Sequence, residues 1–371
     1  AILVSVHRTA KNNFEFAFYG NRNEASAMHG VVIGKKRMYE GLTIEEATVA
    51  GKSISWVDVD GYRIVSVSSV LVEDGIRAFR KKDMDAFKAG LRQIRSTPAV
   101  KNDGGDIVIN LKEAGKWLSL FTSDEQMIVD LNGWSMLDIK QQGAMLTLNG
   151  FTEPDTTGTG ILNLFEKQTP VSFKMKNFVS NDAHYVIDFG IPDAVSFGNE
   201  LKLLKTKPGL ISDKDREELY AGIDEEIALV SVEVGAGNSA TVVMVAIKGP
   251  GKWPEIVQQL AVAAAEDSVA NEQYSDFLIG RMDEDFIGEV FPIFDLDFDK
   301  TYYTQLGNAM LFAADLRAIK KILDDVEQEN VWSKSIEKNK FLESTLLESN
   351  INFFVDPSKS GNFIYNLLSP E

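Results

Sequence analysis

Three carboxylates stand at alternate positions in Asp295-Leu296-Asp297-Phe298-Asp299, with Phe294, Leu296 and Phe298 interleaved. Read as a strand, this spacing puts the acids on one face and the apolar side chains on the other. Three hard oxygen ligands so close together are the start of a calcium site, which makes Asp295, Asp297 and Asp299 the candidate metal ligands. The EF-hand pattern fails around them: Lys300 stands where glycine is required, and Leu306 where the bidentate glutamate belongs. A half-buried strand with a solvated polar face shows the same alternation, and that reading outweighs the metal. Met282-Asp283-Glu284-Asp285 thickens the acidic patch without adding geometry, while Asp58 and Asp60 suit a hairpin turn.

Other reactive constellations are sparse. Gly51-Lys52-Ser53 ends like a phosphate-binding loop, but its first glycine position holds Glu46 and Ser53 opens a strand rather than a helix. Asp188-Phe189-Gly190 spells a kinase tripeptide without the catalytic-loop or glycine-rich partners, so it reads as a strand end. His7, His29 and His184 are the three histidines, with neither metal spacing nor a serine in a nucleophile elbow. The absence of cysteine removes disulfides, thiolate catalysis, iron–sulfur ligation and cysteine zinc sites together. Paired carboxylates for glycoside hydrolysis need proximity in space, not in sequence, so the presence of 55 acidic residues is uninformative. Phe14, Phe16 and Phe18 alternate on one face and are candidates to line a cavity, in competition with ordinary core packing.

A formal net charge of −17 argues against a nucleic-acid partner and against docking on an anionic membrane surface. Apolar runs such as Thr241 to Ile247 are strand-length, so the chain contains no transmembrane segment by this reading.

The elements that would carry these residues repeat. Leu3-Val4-Ser5-Val6 is identical to Leu229-Val230-Ser231-Val232, and each is followed by a polar turn and a second apolar run. Asp106 to Lys112 resembles Asn350 to Asp356, each after a helix-rich stretch. A repeat this long implies a duplicated domain. Asp60-Gly61 marks a tight hairpin between Ser53 to Val59 and Tyr62 to Ser68. Val72 to Arg95 is helical in period, with a break near Lys82. An antiparallel meander, Met127 to Leu131, Trp134 to Ile139 and Ala144 to Leu148, follows. Helices are expected at Ile161 to Lys167, Ala194 to Lys205, Asp213 to Glu226 with Ser212 as N-cap, from Trp253-Pro254, Asp315 to Val326 and Ser335 to Leu347.

The expected fold is α+β, with antiparallel sheets and helix pairs on one face, built by internal duplication. The first repeat spans residues 1–208 with a β-meander inserted at about 126–151. The second, residues 209–371, is incomplete, and Pro208 to Ser212 is the boundary. The helix-like segment before Ile227 has no counterpart before Ala1, which suggests that the native N-terminus has been removed.

The repeated Leu-Val-Ser-Val entry, the stretch Trp134 to Ile139 through Leu148-Asn149-Gly150-Phe151, and Gln168-Thr169-Pro170 resemble a domain-of-unknown-function family of large exported proteins and lipoproteins from Gram-negative bacteria. The resemblance implies an exported chain of the periplasm or outer membrane, with a lipid-anchored N-terminus and further C-terminal sequence. It supplies no catalytic residues. The functional expectation is a non-enzymatic binding or scaffolding protein of the cell envelope, with a protein or other envelope component as partner. The alternatives are a carrier of an apolar ligand such as a lipid, and a glycan hydrolase using paired carboxylates.

Overall fold

Residue alternation of period two, broken by glycine turns, gathers this chain's strands into three antiparallel sheets. The computed structural model describes residues 2–10, 13–22, 34–49, 51–81, 106–118, 131–155, 160–204, 209, 211–235, 237–249, 251–264 and 271–361. The chain divides into two compact units, residues 1–98 and 99–371.

In the first unit, β1 (Ile2–Ala10), β2 (Asn13–Asn21), β3 (Lys35–Tyr39), β4 (Leu42–Val49), β5 (Lys52–Val59) and β6 (Tyr62–Ser66) form one antiparallel sheet. Its strand order is β1-β2-β6-β5-β4-β3. Asp60 and Gly61 both take positive φ at the β5–β6 turn, the backbone that a type I′ hairpin demands. Helix α1 (Ser69–Lys81) follows, and Val72 and Ile76, one turn apart, bury against Ile44, Val57, Val59 and Ile64 of the sheet. The second half of the expected helical stretch, after Lys81, lies outside the described residues.

The second unit opens with a three-stranded sheet ordered β7 (Asp106–Asn110), β8 (Gly133–Gln142), β9 (Met145–Pro154), with helix α2 (Leu111–Leu118) after β7. The expected β8–β9 hairpin is present. Its third strand is β7, and the stretch 127–130 lies outside the described residues.

The main sheet has eight antiparallel strands: β10 (Tyr185–Gly190), β11 (Ile223–Gly235), β12 (Asn238–Ile247), β13 (Asn271–Tyr274), β14 (Phe277–Met282), β15 (Thr301–Leu306), β16 (Ala309–Ala313) and β17 (Ile351–Val355). They are ordered β13-β14-β15-β16-β12-β11-β10-β17. Helices cover both faces. On one lie α3 (Ala194–Leu204), α4 (Asp213–Ala221), α5 (Lys252–Ala264) and α6 (Phe286–Val290), packing Phe197, Leu219, Trp253 and Phe286 on Leu229, Val243, Val245 and Phe312. On the other lies α7 (Leu316–Glu327), whose Ala318, Ile319, Ile322 and Leu323 pack on Val230, Val242, Met244 and Leu311. A shorter helix, α8 (Ile336–Leu342), precedes β17.

Six of these eight strands, β11-β12-β16-β15-β14-β13, follow the same circuit as β1-β2-β6-β5-β4-β3. The helix after the sixth strand, α1 or α7, covers the corresponding face. The Leu-Val-Ser-Val identity falls on matching strands but one residue out of step. Ser5 pairs with Ala17, which pairs with Ser66 on the α1 side. Val230, not Ser231, pairs with Val242 and then Ala313 on the α7 side. A one-residue slip reverses every side chain, so the two identical tetrapeptides present opposite faces. The likeness of 106–112 to 350–356 also parts company in space: β7 pairs with β8, and β17 with β10.

The compact units meet at 98/99, where the sequence pattern puts the repeat boundary at 208/209. β10 pairs with β11 from Tyr185↔Ser231 to Gly190↔Glu226, and α3 and α4 share one core, so the chain on either side of Pro208 belongs to one unit. Sheet membership is decided by residues far apart in sequence.

Gly190 sits where the isolated Val171↔Ser349 bridge crosses the end of β10. A Cβ there would lie 2.5 Å from Val171 Cγ2 and 2.7 Å from the Ser349 carbonyl oxygen. Gly190→Ala should therefore cost about 1–3 kcal/mol by overpacking, read as a lower urea midpoint for the second unit at unchanged slope.

Candidate functional site

The segment carrying Asp295, Asp297 and Asp299 is not a strand. It leaves a 3₁₀ turn at Pro292–Phe294 through Asp295 in the left-handed region, and β15 begins only at Thr301. The alternation persists without a ladder partner: Phe294 and Phe298 are buried, and the three aspartates face solvent. Among the described residues no group of three or more acidic or histidine side chains is gathered closely enough to hold a metal ion, these three included. The neighbouring acids have structural duties. Asp285 caps α6 through the Gly288 N–H at 2.9 Å, and Asp283 pairs with Arg281 at 2.9 Å. Asp58 is gripped by both arms of Arg63 at 2.7 and 2.9 Å, which holds its carboxyl below the usual range.

The histidines are scattered. His7 Nε2 lies 2.7 Å from the Ser5 hydroxyl on the same strand face, and His29 lies outside the described residues. His184 is buried, and its backbone carbonyl accepts from the Ser360 hydroxyl and the Asp356 N–H. Asp188-Phe189-Gly190 closes β10, as a strand end should.

Two carboxyl groups do meet, in a place the sequence does not mark. Asp188 on β10 and Glu226 on β11 are diagonal neighbours on the α7 face of the sheet, each 1 % exposed. Register shifts between Ile223 and Ile227, with Glu225 in the left-handed region, and Glu226 is the last residue within this bulge. Glu226 Oε1 accepts the N–H groups of Lys174 (2.8 Å) and Met175 (3.2 Å), and Asp188 Oδ2 accepts Asn352 Nδ2 (2.9 Å). Asp188 Oδ1 and Glu226 Oε2 receive no donor from a third residue; the two carboxyls hydrogen-bond to each other. Burial pushes both groups up, and the Asp188 charge adds to the effect on Glu226: Glu226 rises to about 8 and Asp188 to about 6.

A second polar network lies on the same side. The buried Asp325 of α7 accepts from the Ser180 hydroxyl, from Lys321 Nζ at 2.8 Å and from Asn330 Nδ2 at 2.9 Å. Lys321 also reaches Asp182 at 3.0 Å, and Lys359 Nζ donates to the Asn181 carbonyl at 2.8 Å. The Ser180 hydroxyl itself accepts the Asp182 N–H, which fastens it as a turn constituent rather than a nucleophile.

The aromatic side chains divide between closure and exposure. On the α3–α6 face the rings of Phe189, Phe294, Phe291, Trp253, Phe312 and Phe286 follow one another at centroid separations of 5.1–6.5 Å. An open cleft of about 480 Å³ beside α3 and α4 is lined by Val195, Asn199, Glu217, Glu218 and Ala221, a set without histidine, serine or threonine. On the first unit's sheet, the face away from α1 shows Val4, Val6, Phe16 and Phe18 to solvent at 47, 52, 48 and 44 % exposure. Val4 pairs with Phe18 and Val6 with Phe16, so the four form one contiguous patch. Charge divides unevenly as well. Residues 1–98 hold 15 Lys and Arg against 11 Asp and Glu, and residues 99–371 hold 23 against 44, so −17 resolves into +4 and −21.

No protein-family model, curated protein or solved structure matches this chain. No helix among the described residues is long and apolar enough to cross a membrane.

Removing the Asp325 carboxylate leaves Lys321 and Ser180 without their buried partner, whereas Asp299 is exposed. Asp325→Ala should cost about 3–5 kcal/mol and Asp299→Ala within about 0.5 kcal/mol in chemical denaturation.

Proposed function

We propose that this chain is a non-enzymatic binding or scaffolding protein, exported to the bacterial cell envelope, and that the exposed sheet face of its first unit receives the partner. The observation that carries this reading is the patch of Val4, Val6, Phe16 and Phe18. Contiguous apolar surface on one sheet face is the usual mark of an interaction site. The corresponding face in the second unit lies under α3 to α6, which shows the kind of cover such a surface takes. The net positive charge of residues 1–98 favours a partner, protein or other envelope component, that sets apolar groups among negative ones. The envelope location and a native lipid anchor rest on the sequence resemblance alone.

The two alternatives draw less support. A hydrolase needs carboxyls facing each other across a cleft at roughly 5–9.5 Å to admit a sugar. Asp188 and Glu226 instead touch each other beneath the sheet surface. A lipid carrier needs an apolar cavity, and the aromatic rows of the second unit close upon one another.

The test compares the wild-type chain with Phe16→Ser/Phe18→Ser as baits in extracts of the native cells. Both residues are solvent-facing, so the double variant should melt within about 2 °C of wild type. It should recover at least tenfold less of any partner that the wild type retains, and the partner should elute with added salt. Equal recovery by both baits defeats the reading, as does a bound lipid mass in native mass spectrometry that survives the double substitution.

A further inference from the structure

We propose that Asp188 and Glu226 form a proton-operated latch: one proton between the two carboxyl groups fastens β17 and the 173–177 turn to the eight-stranded sheet, and its loss unfastens them.

Four pieces of chain meet at this pair. β10 brings Asp188, β11 brings Glu226, β17 brings Asn352, and the turn brings the N–H groups of Lys174 and Met175. Each carboxyl uses one oxygen outward, Asp188 Oδ2 toward β17 and Glu226 Oε1 toward the turn. The other two oxygens, Asp188 Oδ1 and Glu226 Oε2, take no donor from the rest of the described residues, and the two carboxyls hydrogen-bond to each other. A shared proton turns that contact into a strong hydrogen bond and joins the two outward ties in series. Without the proton the same contact is two like charges in a site with 1 % exposure.

Among the described residues no lysine or arginine pairs with either carboxyl. The charged groups nearest the pair are Lys174 in the turn and Asp224 and Glu225 on the bulge, and the Lys174 ammonium is held by Glu225 Oε2 at 2.7 Å. Lys176, in the same turn, is half-buried and pairs with neither carboxyl. β10 supplies no charge besides Asp188, and β17 supplies the neutral amide of Asn352. The rest of this face is apolar: Met175, Val186, Ala228 and Phe354. Deprotonation is relieved by letting water reach the two carboxyls. Among the described residues β17 is an edge strand paired with β10 alone, so it and the turn are the pieces able to move aside.

The direction of the pH effect follows. Glu226 rises from an ordinary 4.5 to about 8 on folding, so its contribution is complete below about pH 4.5 and is lost as pH climbs through about 8. Asp188 adds a loss in the same direction, ending near pH 6.

Hydrogen exchange read by mass spectrometry on the intact chain, from pH 6.5 to 9.5 and corrected for intrinsic exchange, tests the latch. In the wild type, protection of 171–177 and 351–355 should fall by up to about tenfold per pH unit from pH 6.5 to about pH 8 and level off above it, with β12 as the unchanged reference. Glu226→Gln replaces the proton with a permanent amide donor to Asp188 and should abolish that dependence. Asp188→Asn does the same from the other side and serves if the first variant fails to fold. A wild-type profile without the fall, or the same fall in a folded variant, overturns the proposal. So does a carbon-13 titration in which the Glu226 carboxyl of the folded protein ionises near 4.5.

Discussion

Burial of the β11–β12 hairpin on both faces is the constraint from which the second unit is built. Val242 to Ile247 are buried without alternation, and Ile227 to Val232 likewise. Antiparallel sheets usually leave one face to water, so an unbroken apolar run in such a sheet requires a layer on each side. The chain meets this with α3 to α6 on one side and α7 on the other. At roughly 25 cal/mol for each square ångström of apolar surface withdrawn from water, these two layers dominate the unit's stability. The α3–α6 layer is anchored by Trp253, whose indole N–H donates to the Leu219 carbonyl at 2.7 Å, so this large ring is buried without an unsatisfied donor. The β1–β2 hairpin has the same place in its own sheet but alternates: Ala17 is buried, and Phe16 and Phe18 are exposed. One-sided burial is therefore written into that strand pair, and its outer face is left for something else.

Features settled within a few residues were legible in the sequence. Asp60-Gly61 makes its hairpin, and Ser212, Asp315 and Ser335 each cap the helix that the pattern assigns to them. Helix ends were less so. The helix expected over Asp213 to Glu226 stops at Gly222, because 223–226 are taken into the sheet as a bulged strand end. The aspartates at 295, 297 and 299 show why alternation alone is not a strand: the in-out pattern was right, but no neighbouring strand accepts the ladder. The repeated tetrapeptide is out of register with the strand circuit that the two sheets have in common, since identity of letters does not specify which face a residue takes. Asp188 and Glu226 could not have been paired from sequence. They lie in different strands separated by two helices, and only the β10–β11 register makes them neighbours.

The buried acids share a task that becomes apparent when they are considered together. Residues 171–184 run beneath the α7 side of the sheet as 3₁₀ turn, bridges and irregular chain, and a buried irregular backbone has N–H and C=O groups that no helix or ladder satisfies. Glu226 accepts two of those N–H groups, at Lys174 and Met175. The Ser180 hydroxyl accepts a third from Asp182 and is itself held by Asp325, while Lys359 donates to the Asn181 carbonyl. Apolar substitutes of equal volume would pack as well and leave these backbone groups orphaned, at about 1–3 kcal/mol each. The acids therefore serve as the missing partners of a segment that has no secondary structure of its own.

That task alone does not call for an ionisable group at position 226. A glutamine there would accept the same two N–H bonds through its carbonyl oxygen and donate to Asp188 through its amide at every pH. A glutamate completes the same set of bonds only while the pair retains a proton, and holding that proton at neutral pH depends on the burial that raises its affinity. The Asp325 network contrasts with it: there Lys321 and Asn330 supply donors to the carboxylate directly, and no shared proton is required. Two neighbouring joints thus fasten the same stretch of chain, one through fixed donors and one through a proton that the solvent can remove.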